Sequence, residues 1–217
     1  MNARIRSAPG RAPRRRSPAP DPTSKWEAVR GRAAAVFDLG ARLPAQVFRG
    51  LADEAVFCEF DVLLTPDAGP ALAALARSHG DRQVDLLVVE GAGVAEPVLS
   101  LSVDATADDY WAEVGFDAVR DPLESVTVAA RVVALTGPSG RWGCRGERDP
   151  EVAVLRGLPD GGARDDWSLR YGPCLGAADA LAHWLPVTFR GRHVPDAHAA
   201  ELSANYGARQ GSRGRPG

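Results

Sequence analysis

Ser125-Val126-Thr127-Val128-Ala129-Ala130-Arg131-Val132-Val133-Ala134-Leu135 is followed by Gly137-Pro138-Ser139-Gly140, by Arg141-Trp142-Gly143-Cys144-Arg145, by Glu147-Arg148-Asp149-Pro150 and by Glu151-Val152-Ala153-Val154-Leu155. Three β-prone runs joined by two short turns rich in Gly, Pro and Asp predict an antiparallel meander. Alternation in the middle run places Trp142 and Cys144 on one face and Arg141 and Arg145 on the other.

Working outward, helices and strands are interleaved without a regular βα repeat. Upstream, Ser24-Lys25-Trp26-Glu27 has the form of a capping box opening a helix over 25–39. A strand is expected over 55–64, then a helix from Thr65-Pro66-Asp67 to Gly80. Further strands are expected at 84–89 and 98–103. Thr106-Ala107-Asp108-Asp109 starts another helix, which Pro122 stops. Downstream, 162–171, 176–185 and 195–206 read as helices. This order predicts an α+β fold: a mixed or mainly antiparallel sheet of five to six strands, helices packed on one face, and a helical C-terminal part. The expected organisation is a disordered Arg/Pro-rich tail over 1–23, one globular domain over 24–207 and a basic disordered tail over 208–217.

The chain has 217 residues and a formal net charge of −2. Its basic residues comprise one lysine, Lys25, and 25 arginines. Isoleucine occurs once and asparagine twice, as expected of a GC-rich bacterial genome, so arginine abundance does not by itself point to phosphate binding. The charge is unevenly spread. Residues 1–25 carry a net +6 and 207–217 a net +3, whereas 26–206 hold 16 basic and 27 acidic residues, a net of −11. An acidic body of this kind repels nucleic acid and anionic lipid and favours a basic protein partner at low salt.

Several chemistries fail at named residues. Gly91-Ala92-Gly93-Val94-Ala95-Glu96 puts a carboxylate where a dinucleotide fingerprint needs its third glycine. Thr136-Gly137-Pro138-Ser139-Gly140 lacks the lysine of a phosphate loop and the spacing of a serine elbow. Glu59-Phe60-Asp61 has glutamate where a phosphatase of the haloacid dehalogenase type carries its nucleophilic aspartate. Asp108-Asp109 and Asp165-Asp166 fall in first helical turns, where negative charge is stabilising. Cys58, Cys144 and Cys174 fit no zinc or thioredoxin spacing, and His193, Asp196 and His198 fit no ligand set. No cofactor or metal is therefore expected. Pro-Ala-Pro-Asp-Pro follows Arg14-Arg15-Arg16-Ser17 where an export signal needs apolar residues, and no apolar run reaches membrane-span length. A cytoplasmic protein with reduced thiols is expected, without membrane or nucleic-acid binding.

What remains is an interaction surface. Trp142, Arg145, Glu147, Arg148 and Asp149 combine a large aromatic with paired charges around a hairpin, and tryptophan and arginine are enriched at interface hot spots. Trp142-x4-Glu147-Arg148-x2-Glu151-Val152-Ala153-Val154-Leu155 resembles a pattern in small bacterial α+β proteins of the polymorphic-toxin immunity kind, over about 14 of 217 residues. A polar hairpin between two strands gives the same pattern. The reading that follows is a non-catalytic protein-binding protein, inhibitor- or immunity-like, with an acidic surface. The alternative is a small-molecule hydrolase or transferase whose catalytic groups lie far apart in sequence, with His183 or His193 joined to a carboxylate and a cysteine.

Overall fold

The computed structural model describes residues 22–50, 53–91, 98–116, 119, 121–159, 165, 167–168 and 174–207. Seven strands form one sheet: β1 (Val56–Glu59), β2 (Gln83–Gly91), β3 (Val98–Ser102), β4 (Ala130–Thr136), β5 (Gly143–Glu147), β6 (Val152–Arg156) and β7 (Leu175–Gly176). Their order is β3-β2-β4-β5-β6-β1-β7, and every adjacent pair is antiparallel. The meander β4-β5-β6 is thus the centre of the sheet, and the α+β expectation holds with one strand more than expected. β7 is too short to show in an apolar pattern. The expected tails and most of the expected 162–171 helix lie outside the described residues.

Among the described residues the sheet is accompanied by helices α1 (Pro22–Val36), α2 (Ala68–Ser78), α3 (Ala107–Val114), the single turn α4 (Val126–Ala129), α5 and α6 (Asp196–Tyr206). Helix α5 is composite, running as Ala177–Asp179, a π-helical turn Ala180–Trp184, and Leu185–Thr188. They do not share one face. Side chains of α2, α3 and α4 pack with Cys58, Leu86, Val133, Cys144 and Leu155 of the sheet. Those of α1, α5 and α6 pack with Phe57, Leu87, Ala134, Val152 and Val154, the opposite parity. The protein is therefore a three-layer sandwich, and β4, β5 and β6 are buried almost throughout on both sides. This corrects the expectation of helices on one face.

Local differences have local causes. Ser24 lies inside α1, which starts with Pro22, a residue suited to the first helical turn. Leu63 and Leu64 belong to a 3-10 turn over Asp61–Leu64 instead of extending β1. Val126–Ala129 is helical because its buried residues plug the α2–α3 face before the chain turns into β4. In α3 the expected cap is present: Thr106 Oγ1 accepts from Asp109 N, and Asp109 bonds the Thr106 N–H in return. The Thr106 N–H and the Thr106 hydroxyl both donate to the Asp109 carboxylate and hold it below its ordinary range.

At one end of the meander Asp81 accepts from Ser139 N, Ser139 Oγ and Trp142 Nε1 at 2.7–2.9 Å. This ties the β4–β5 turn to the end of α2, and Arg141 reinforces it by donating to His79 O. Gly157 closes the same corner at φ +87, where an added Cβ would sit 2.4 Å from Arg141 O and 2.7 Å from Trp142 Cα. Gly157→Ala should therefore cost about 2 kcal/mol or more, measured by denaturant unfolding. A cost near zero would show that the corner yields freely.

Candidate functional site

The opposite end of the meander gathers the charged hairpin. The β5–β6 connection is Arg148–Glu151, and Phe60 N donates to Glu151 O, so the segment after β1 lies alongside it. Arg148 sets this arrangement. Its Nε donates to Ala130 O at 2.9 Å and its Nη2 to Thr127 O at 2.5 Å. Its Nη1 bonds Asp61 Oδ1 at 3.3 Å, and the guanidinium lies 4.7 Å from the centre of the Phe60 ring. The arginine is thereby immobilised by carbonyls, a carboxylate and a ring. Around it Glu59, Asp61, Asp149 and Glu151 are exposed. Glu151 sits at φ +62, a left-handed conformation uncommon for a residue other than glycine. A fixed hairpin with four exposed carboxylates around a tethered arginine is the outcome.

The five residues singled out in the sequence divide. Arg148 is partly exposed and Asp149 is exposed at the tip. Trp142 and Arg145 are 0% exposed and Glu147 3%, so a partner docking on the folded surface does not touch them. Trp142 belongs to the α2–α3 face and Arg145 to the α1–α6 face, as alternation requires. The second helical layer and the segment after α1 cover the face that sequence alone left open to solvent.

Beneath that segment lies a buried polar pair. Arg145 Nη2 donates to Leu39 O at 3.4 Å and Ala41 O at 3.1 Å. Glu147 Oε1 accepts from Leu43 N at 3.1 Å and lies 3.9 Å from Arg145 Nε, within ion-pair range but beyond a hydrogen bond. Arg145 Nε and Nη1 are buried without a hydrogen-bond partner. Burial pulls the Arg145 guanidinium down to about 10, with Glu147 opposing, and pushes the Glu147 carboxyl up, with the Leu43 N–H and Arg145 opposing. Together the two side chains hold the 39–43 turn against β5. The rest of the segment is bound to α6: Val47 N donates to Tyr206 Oη, Tyr206 Oη donates to Ala45 O, and Asn205 Nδ2 donates to Pro44 O.

The groups proposed for the enzymatic alternative do not converge. Cys58, Cys144 and Cys174 are buried on the α2–α3 face, whereas His183 and His193 belong to elements on the α1–α6 face. His193 Nε2 is 3.7 Å from Asp196 Oδ1, both at the surface. Burial pushes the Cys58 and Cys144 thiols well up, away from the nucleophilic thiolate form. Among the described residues no group of His, Cys, Asp and Glu is placed to hold a metal, and no helix is long and apolar enough to cross a membrane. No protein-family model, curated protein or solved structure matches this chain.

Proposed function

We propose that this is a non-catalytic protein-binding protein, inhibitor- or immunity-like, that receives a basic protein partner on the acidic hairpin end of its sheet. The observation that carries the reading is the group of exposed carboxylates Glu59, Asp61, Asp149 and Glu151 beside a hairpin held by Arg148, on a body whose residues 26–206 carry a net of −11. Such a field speeds encounter with a basic surface, and a rigid hairpin loses little conformational freedom on docking. Nucleic acid is disfavoured by the same field.

The hydrolase or transferase alternative draws on Arg145 and Glu147, since perturbed buried charges often mark active sites. Both have a sufficient structural use in tying down the 39–43 turn, and the exposed hairpin is the better candidate.

An arginine-rich decapeptide tests the hairpin by calorimetric titration at low salt. The double reversal Asp149→Lys with Glu151→Lys should weaken binding about tenfold or more, whereas Asp104→Lys with Glu113→Lys, both exposed elsewhere, should weaken it by less than about threefold. Equal losses from the two reversals would mean that net charge, not the hairpin, attracts the peptide.

A further inference from the structure

Three thiols share the apolar cluster on the α2–α3 face: Cys58 on β1, Cys144 on β5 and Cys174 immediately before β7. The β1–β7 register pairs Val56 with Gly176 and Phe57 with Leu175. One further step along the same antiparallel register sets Cys58 directly opposite Cys174. The faces agree. Phe57 and Leu175 pack on the α1–α6 side, so alternation turns both cysteines to the other side, where both are buried.

The spacing is also favourable. The Cys174 N–H donates to Ser168 Oγ at 3.0 Å. Directly opposite residues of an antiparallel pair have Cα atoms about 4.5–5.5 Å apart, inside the roughly 4.4–6.8 Å that a disulfide spans. Cys144 is differently placed. Strand β6 separates its strand from β1, a lateral offset of about 9–10 Å that a disulfide to Cys58 cannot bridge.

We propose that Cys58 and Cys174 are a redox-controlled pair whose oxidation forms a cross-strand disulfide fastening β7 to β1. β7 has two residues, forms one edge of the sheet and runs directly into α5. The bond therefore anchors the entry to α5 at the sheet edge and closes a long loop through the chain. Oxidised glutathione, or another small disulfide, is the oxidant. The Cys174 sulfur, as thiolate, attacks it and releases one glutathione thiol. Cys58 then displaces the second glutathione, its proton passing to solvent. Two protein thiols become one disulfide, and one glutathione disulfide becomes two thiols. Burial, which keeps the Cys58 thiol protonated, makes the exchange slow in the closed fold and directs it to moments when the β7 edge opens.

Refolding the full chain from denaturant in a glutathione buffer rich in the oxidised form removes that kinetic barrier. Remaining thiols are then alkylated and peptides mapped without reductant. The expected product is a monomer with Cys58 joined to Cys174 and Cys144 alkylated, its Tm higher than that of the reduced protein by roughly 5–15 °C. Cys144→Ala should keep both the bond and the Tm increment, and Cys174→Ser should lose both. A different pairing in the folded monomer, a chain that stays fully reduced at equilibrium, or a bond that lowers Tm would overturn the proposal.

Discussion

Glu147→Ala is expected to lose about 3–5 kcal/mol of stability, the cost of leaving a buried charge without its counter-ion. Arg145 cannot follow its partner out to solvent, because it is fully buried under the 39–43 turn and already has two N–H groups unmet. Removing Glu147 also releases the Leu43 N–H. Equilibrium denaturation measures the loss. Replacing both residues, Arg145→Met with Glu147→Leu, should cost less than the sum of the single changes, since no charge is then stranded. Additive losses would mean that the two side chains do not sense each other across 3.9 Å.

The same pair predicts a pH dependence. Burial raises the folded-state affinity of Glu147 for its proton above that of the unfolded chain. The folded state therefore binds more protons in the window between the ordinary carboxylate value and the raised one, and stability falls as pH rises through it. Below the window the charge penalty is absent. Glu147→Gln carries no such penalty, so its stability relative to the native chain should improve as pH rises from acid towards neutral. A difference that stays constant with pH would show that Glu147 does not titrate in the fold.

Trp142→Ala is the other large effect, at about 3–5 kcal/mol, because it empties a fully buried aromatic site and strands an acceptor. Its indole N–H donates to Asp81 Oδ2, which also takes the Ser139 hydroxyl. Trp142→Phe should retain most of the packing and lose about 1–2 kcal/mol for the missing bond. Thermal unfolding followed by circular dichroism ranks the three proteins. If Trp142→Ala instead weakened partner binding while leaving Tm unchanged, the residue would belong to a surface that the fold does not expose.

The meander was legible because its alternation and turns are local signals. β4, β5 and β6 emerge where the Val-rich and Trp142–Arg145 runs predict them, shifted by a few residues towards the C-terminus. The second helical layer was not legible. A strand buried on both faces and one buried on a single face differ in a few residues, and Arg145 and Glu147 supply the polar alternation of an open face while being buried. Main-chain groups of the 39–43 turn, more than 100 positions away in sequence, bond to both. The acidic hairpin was half visible. Arg148 and Asp149 stood out by type, but Asp61 joins them from 87 positions away through a contact that no spacing encodes. The Cys58–Cys174 juxtaposition depends wholly on β7, whose two residues carry no periodic signal.

The proposed function places a basic protein partner on the hairpin end of the sheet. Zero-length carboxyl-to-amine cross-linking of the full chain in native cell extract at low salt tests it most directly, with the linked residues located by mass spectrometry. The expected result is a stoichiometric, salt-sensitive complex with one basic protein, its lysines joined to Asp149, Glu151, Asp61 or Glu59, and lost in the Asp149→Lys, Glu151→Lys protein. Cross-links concentrated on other carboxylates, or a complex that survives the double reversal unchanged, would contradict it.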